Sequence, residues 1–265
     1  MTNIEIQNGV TTIGYYAFAE CKSLTSIEIP SSVTGIGGYA FSGCTSLKSI
    51  VIPSSVTIIG KGAFYDCNSL ESITLPFVGE SKNKNQYLSY IVSGTSNLKV
   101  IILEGCTSIE AGAFSECTFL TSIEIPSSVT SIGSSAFRGC TSLTSIVIPN
   151  SVTSIEWFAF DGCTSLKSIV IPKIITYIGN YAFRGCTSLT SIVIPSSVTS
   201  IGDCAFDGCT SLTSIIIPNS VTIIRYNAFS GCSSLTIYCE AESQPSGWSK
   251  DWNNSNCPVV WNYKK

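Results

Sequence analysis

Histidine is absent from the 265 residues, and with it the commonest metal ligand and the commonest general base near neutral pH. Charge is scarce. Asp, Glu, Lys and Arg make up 12% of the chain against 44% for the apolar set, a balance far from that of disordered chains. Lys and Arg number 14 and are scattered, and the formal net charge is −3, so there is no basic stripe for nucleic acid or an anionic membrane. No apolar run approaches the roughly 18 residues of a transmembrane span. The opening residues, MTNIEIQNGV, lack the basic and then apolar segments of an export signal, although Met1 already sits inside a repeat. A phosphate-cradling glycine motif and a G-x-S-x-G element are also missing. No catalytic, cofactor or metal role is therefore assigned to any residue, and the chain is expected not to be an enzyme.

Period, by contrast, is abundant. Phe18, Phe41 and Phe64 are 23 residues apart, and so are Phe114, Phe137, Phe160, Phe183, Phe206 and Phe229. Between Phe64 and Phe114 a further unit is concealed at Tyr90–Thr95, flanked by one repeat of 28 residues and one of 22. Coils begin at Met1, Leu24, Leu47, Leu70, Leu98, Leu120, Leu143, Leu166, Leu189 and Leu212, with a last strand near Leu235. In the unit from Leu143, Ile146 and Ile148 alternate as the inward residues of a strand, and Pro149, lacking an N–H, ends it. Val152 and Ile155 form a second, shorter apolar pair, and Ala159-Phe160 is expected to open a helical or 3-10 turn. One coil cannot bury its own apolar residues. Stacking the next coil covers them and pairs the backbone.

The fold class predicted is a repeat solenoid: a leucine-rich-repeat right-handed coil with a parallel β-sheet on one face and short turns or 3-10 segments elsewhere. Residues 1–239 form the solenoid, with an irregular insert at 76–89, and residues 240–265 are a non-repeat cap or tail. Glycine after the second apolar pair, as at Gly37 and Gly133, is not read as a required left-handed residue, because Glu110, Glu156 and Arg225 take the same place; crowding explains it better.

The unit closely resembles the BspA-like, or Treponema pallidum type, leucine-rich repeat. Leu120, Ile123, Ile125, Pro126, Val129, Ile132, Gly133, Ala136, Phe137 and Cys140 carry the pattern nearly intact, and the resemblance covers roughly residues 1–239. It implies a surface-exposed or secreted, adhesin-like protein that binds extracellular matrix or cell-surface proteins, and it carries over no catalytic residue. The alternative is a structural or intracellular interaction scaffold with no host ligand.

Candidate sites follow from the columns. The strand face is the expected partner surface. Its outward positions include Lys99, Ile102, Val147, Lys167, Val170, Val193 and Ile216, with a β-branched apolar stripe from Val147 to Ile216. The competing reading is that β-branched residues simply favour strands. In the insert, Lys82, Lys84 and Tyr87 could contact a ligand or could belong to a tolerated loop. Nine cysteines, three after each Phe, are read as a buried ladder of unpaired thiols rather than a metal or redox site. Cys239 and Cys257 lie outside that column, and a disulfide between them would staple the end of an exported solenoid. Trp248, Trp252 and Trp261 suit a cap better than a sugar platform. The first strand, Thr2 to Ile6, has no cap visible before it, so an open edge and self-association through it are expected.

Overall fold

The computed structural model describes residues 4–78, 81 and 87–264. The fold is a β-solenoid of about 11 turns with parallel strands and almost no helix. It falls into two compact units, Met1–Cys106 with Phe119–Pro126 and Thr107–Thr118 with Ser127–Lys265.

In the first unit the strand face is a four-stranded parallel sheet of Ser49–Val51, Ser72–Leu75, Leu98–Ile102 and Leu120–Glu124. A second side pairs Thr12–Ile13, Gly35–Ile36 and Ile58–Ile59. Ile4 to Ile6 form no strand, so the strand expected from Thr2 is not observed there, and Thr2 itself lies outside the described residues. In the second unit, Ser145–Val147, Ser168–Val170 and Ser191–Val193 pair in register, as do Ser214–Ile217, Thr236–Cys239 and Val259–Val260.

The period of 23 becomes columns. Leu143, Ile146, Ile148, Val152, Ile155, Ala159, Phe160 and Cys163 are all buried, and so are their equivalents in the following coil. From Phe114 through Phe137, Phe160, Phe183 and Phe206 to Phe229, successive rings stack at 5.1 to 5.5 Å, tilted by no more than 9°. Each stacked pair contributes roughly 0.5–1.5 kcal/mol beyond the area it buries.

The third side is not the expected helical turn. The one 3-10 helix among the described residues, Leu88–Tyr90, belongs to the insert. Elsewhere alternate residues serve two different ladders. Phe158, Phe160 and Gly162 donate their N–H groups to Asn180, Ala182 and Arg184 of the following coil, at 2.9, 2.8 and 2.7 Å. Ala159, Asp161 and Cys163 donate to Glu156, Phe158 and Phe160 within their own coil. A helix would send every N–H along its own axis, so this division excludes one. Two left-handed residues per coil make it possible, here Phe158 at φ 59° and Gly162 at φ 72°.

Glycine at 133 stands at an ordinary φ, and its restriction is spatial. A Cβ there would lie 2.6 Å from the Ala111 nitrogen. Where Glu156 replaces glycine, its N–H reaches the Ile132 carbonyl at 3.4 Å, against 2.8 Å from Gly133 to Ile109. Ile155 beside it makes only isolated bridges. The chain thus accommodates a Cβ by loosening one rung.

The cysteine column is a hydrogen-bonded ladder. Sγ of Cys140, Cys163, Cys186, Cys209 and Cys232 lies 3.0 to 3.2 Å from the Phe carbonyl of the preceding coil and donates to it. All thirteen cysteines are free thiols. The Cys239–Cys257 staple is therefore corrected. Cys239 pairs in register with Ile217 on the strand side, whereas Cys257 continues the ladder, its Sγ 3.5 Å from the Cys232 carbonyl. The two sulfurs occupy different columns, and a disulfide needs facing Cβ vectors.

The tail lies on the last coil. Trp252 sets its edge against Phe229 at 5.9 Å, and the buried Trp248 indole donates to the Val221 carbonyl.

Burial raises the Cys44 thiol to about 11 and those of Cys67, Cys186 and Cys239 to about 12, and it pushes those of Cys140 and Cys163 up as well. A thiol whose pKa lies this far above the solution pH is neutral, with roughly 0.1% thiolate or less at pH 8, and only the thiolate attacks. Titration with an aromatic disulfide reagent at pH 8 should leave these thiols unreacted in the native protein and count all thirteen in denaturant. Rapid native labelling of the ladder would contradict a closed core.

Candidate functional site

Outward residues of the strand face divide sharply between the two units. In the second unit Val147, Val170 and Val193 stand side by side in register, and they are 78%, 74% and 70% exposed. Adjacent parallel strands lie about 4.8 Å apart, so these methyl groups form an unbroken apolar row. Below Val170 and Val193 the surface dips into a cleft of about 420 Å³, lined also by Asn150, Lys173 and Pro195. Lys167 is exposed at the start of the middle strand. Ile216 is only half-buried, and it pairs in register with Tyr238, on whose ring Tyr263 of the tail packs at 4.9 Å. The row is thus covered beyond Ile216.

In the first unit the expected face is altered. Ile102 is 4% exposed and points inward, as does Val100. The register explains the correction. Val100 pairs with Ile73 and Ile102 with Leu75, so this 22-residue repeat has lost one residue between Leu98 and Val100, and a shift of one reverses every side chain. Ile101 takes the outward place opposite Thr74. Lys99 does face outward, and its ammonium is paired with the carboxylate of Glu124.

The insert is pinned at both ends by buried Phe77 and Leu88. Tyr87 is exposed beside the second anchor, while Lys82 and Lys84 lie outside the described residues.

A charged cluster on the third side escaped sequence reasoning. Asp161, 5% exposed, accepts two hydrogen bonds from Arg184 at 2.8 Å, and Arg138 Nε lies 3.4 Å away. Hydrogen bonding to Asp161 raises the Arg184 pKa. The same guanidinium lies 5.0 Å from the Tyr181 ring centre and 5.8 Å from that of Phe158, and these two rings stack at 4.6 Å. The signal was present one residue after each Phe, where Arg138, Asp161, Arg184 and Asp207 alternate in sign at the repeat spacing. Their charges are spent on each other, so the cluster holds the turn side together rather than offering a free cation.

Among the described residues no group of three or more candidate ligands could hold a metal ion, and no helix is long and apolar enough to cross a membrane.

Comparison with known proteins agrees with this geometry. The model of the BspA type leucine-rich repeat region matches residues 1–120 and 107–236, in six copies. No curated protein matches the chain. A leucine-rich repeat protein from Bacteroides ovatus is 27% identical, with a TM-score of 0.50, over 98% of this chain and 78% of that one. The pneumococcal vaccine antigen PcpA is similar in fold, at 20% identity and a TM-score of 0.52, over 100% of this chain and 68% of that one. A leucine-rich repeat protein from T. pallidum is 29% identical over 78% of this chain and 74% of that one, with a TM-score of 0.35. With repeats, columns and family match covering the same residues, the chain belongs to the BspA-type leucine-rich-repeat proteins.

Proposed function

We propose that this protein is a non-enzymatic, adhesin-like binding module that takes a protein partner on the strand face of its second unit, outside the cell. The observation that carries this reading is the row of Val147, Val170 and Val193. Three adjacent valines at 70% exposure or more leave an apolar strip in water that the fold itself does not need, and such strips commonly mark partner sites. The repeat family supports an interaction role, and the absence of histidine supports a role without acid–base chemistry. Surface or secreted placement follows from the family resemblance. The buried thiols of Cys67, Cys186 and Cys239 are consistent with it, because burial keeps them protonated and a protonated thiol resists oxidation even in an oxidising exterior.

The first coil supports a second surface. Ala17 is exposed and Phe18 and Cys21 are half-buried, whereas the later members of these columns are buried. We propose self-association through these less covered columns, among the described residues.

Two measurements follow. Purified protein should bind one member of a panel of extracellular matrix and plasma proteins at micromolar affinity or better. A variant carrying Val147→Lys, Val170→Glu and Val193→Lys should not bind it. Equal binding by both would place the site elsewhere, and no binding by the wild type would favour a scaffold without a host ligand. Light scattering should show a mass that rises with concentration, and a monomer throughout would remove the self-association surface.

A further inference from the structure

One coil of the second unit departs from its neighbours on the partner side. Coils there read Thr144-Ser145-Ile146-Val147-Ile148-Pro149-Asn150 and Thr190-Ser191-Ile192-Val193-Ile194-Pro195-Ser196, with no charge. Between them the chain reads Lys167-Ser168-Ile169-Val170-Ile171-Pro172-Lys173. Both lysines are exposed, and among the described residues neither is paired with a carboxylate. Lys167 immediately precedes the strand Ser168–Val170 and Lys173 stands in the turn after Pro172, so the two bracket the central valine along the chain.

The next residue departs as well. In several coils a serine at this place donates its hydroxyl to the preceding coil, as Ser151 does to Val129 and Ser197 to Ile175, both at 2.6 Å, whereas that of Ser220 is buried with no partner. Here Ile174 stands instead, 52% exposed and unable to make that bond. An exchange that loses a hydrogen bond and adds exposed apolar surface works against the fold, and such local violations are expected where function is selected. Glu110, Glu116, Glu156, Asp161, Asp203 and Asp207 of this unit belong to the turn side of the coils, and Glu242 and Asp251 to the tail. Glu240, just after the strand Thr236–Cys239, accepts the Asn219 N–H.

We infer that this coil is the specificity element of the strand face and reads a protein segment of defined chemistry: an aliphatic ridge with carboxylates on both flanks. The ridge lies along Val147, Val170 and Val193, with one side chain in the cleft at Pro195. The flanking carboxylates meet Lys167 on one side and Lys173 on the other. This inference rests on the strand-face reading above and adds the charge pattern of the partner. Rim charges of this kind choose partners and set salt dependence more than they set total affinity.

The test uses labelled peptides and fluorescence anisotropy on the full chain. One peptide has a leucine-isoleucine core flanked by glutamates, the second has the same core flanked by lysines, and the third has a serine core flanked by glutamates. The first should bind about tenfold more tightly than the second, the sum of two exposed ion pairs gained rather than two repulsions, and the advantage should shrink with salt. The third should bind far more weakly than the first. The double variant Lys167→Glu, Lys173→Glu should reverse the charge preference, and Val170→Ser should weaken both core peptides. Circular dichroism checks that each variant is folded. A wild type that does not discriminate, or a double variant that keeps the original preference, overturns the charge reading. If Val170→Ser still abolishes binding in that case, the strand-face reading stands. Undiminished binding by Val170→Ser overturns both, and failure of every peptide to bind overturns the inference.

Discussion

A single coil of this chain has no inside. Its Leu, Ile, Val, Ala, Phe and Cys side chains converge on a space too narrow to close over them, and half of its backbone groups face along the stack. Both deficits are met only by the next coil. On the third side the alternation is explicit, because Phe158, Phe160 and Gly162 reach forward while Ala159, Asp161 and Cys163 bond within the turn. Registered stacking of identical columns is the constraint on which everything else depends. It places one ring over another at about 5 Å, sets each thiol against the preceding Phe carbonyl, and forbids a Cβ at Gly133 unless a rung lengthens, as it does at Glu156.

The same constraint separates fold from function. Inward columns are fixed, since each member is packed between two copies of itself. Outward columns carry almost no structural duty. The central coil can therefore take Lys167, Lys173 and Ile174 where its neighbours have Thr, Asn or Ser, at the loss of one serine bond. A surface built this way is a row of positions that vary independently over a common frame, and this is what suits repeat proteins to binding.

How much was legible follows from the same logic. The columns could be read because a 23-residue period repeats each one many times, and the strand face could be placed because side chains alternate. Ile102 was misplaced because Val100-Ile101-Ile102 is an unbroken apolar run, and counting the usual repeat spacing from Leu98 puts Ile101 inward and Ile102 outward when one residue is in fact missing before Val100. The left-handed positions were invisible because Tyr39, Phe158 and Cys204 occupy conformations usually reserved for Gly or Asn, held there by the coils on either side. The Arg138–Asp161–Arg184 cluster was present in the period but had been read as scattered charge. Cys257 was placed outside the ladder because the tail reaches the column by an unrelated sequence, with Trp252 following Phe229 in the ring stack.

The central claim is that inward columns hold the fold and outward columns are free. Urea unfolding of two variants one coil apart, followed by circular dichroism, tests it most directly. Phe160→Ala removes a fully buried ring from the stack and should cost about 3–5 kcal/mol, whereas Val170→Ser on the exposed face should cost no more than about 0.5 kcal/mol. Comparable losses from the two would mean that the strand face is part of what holds the coils together, and the division between frame and surface would fail.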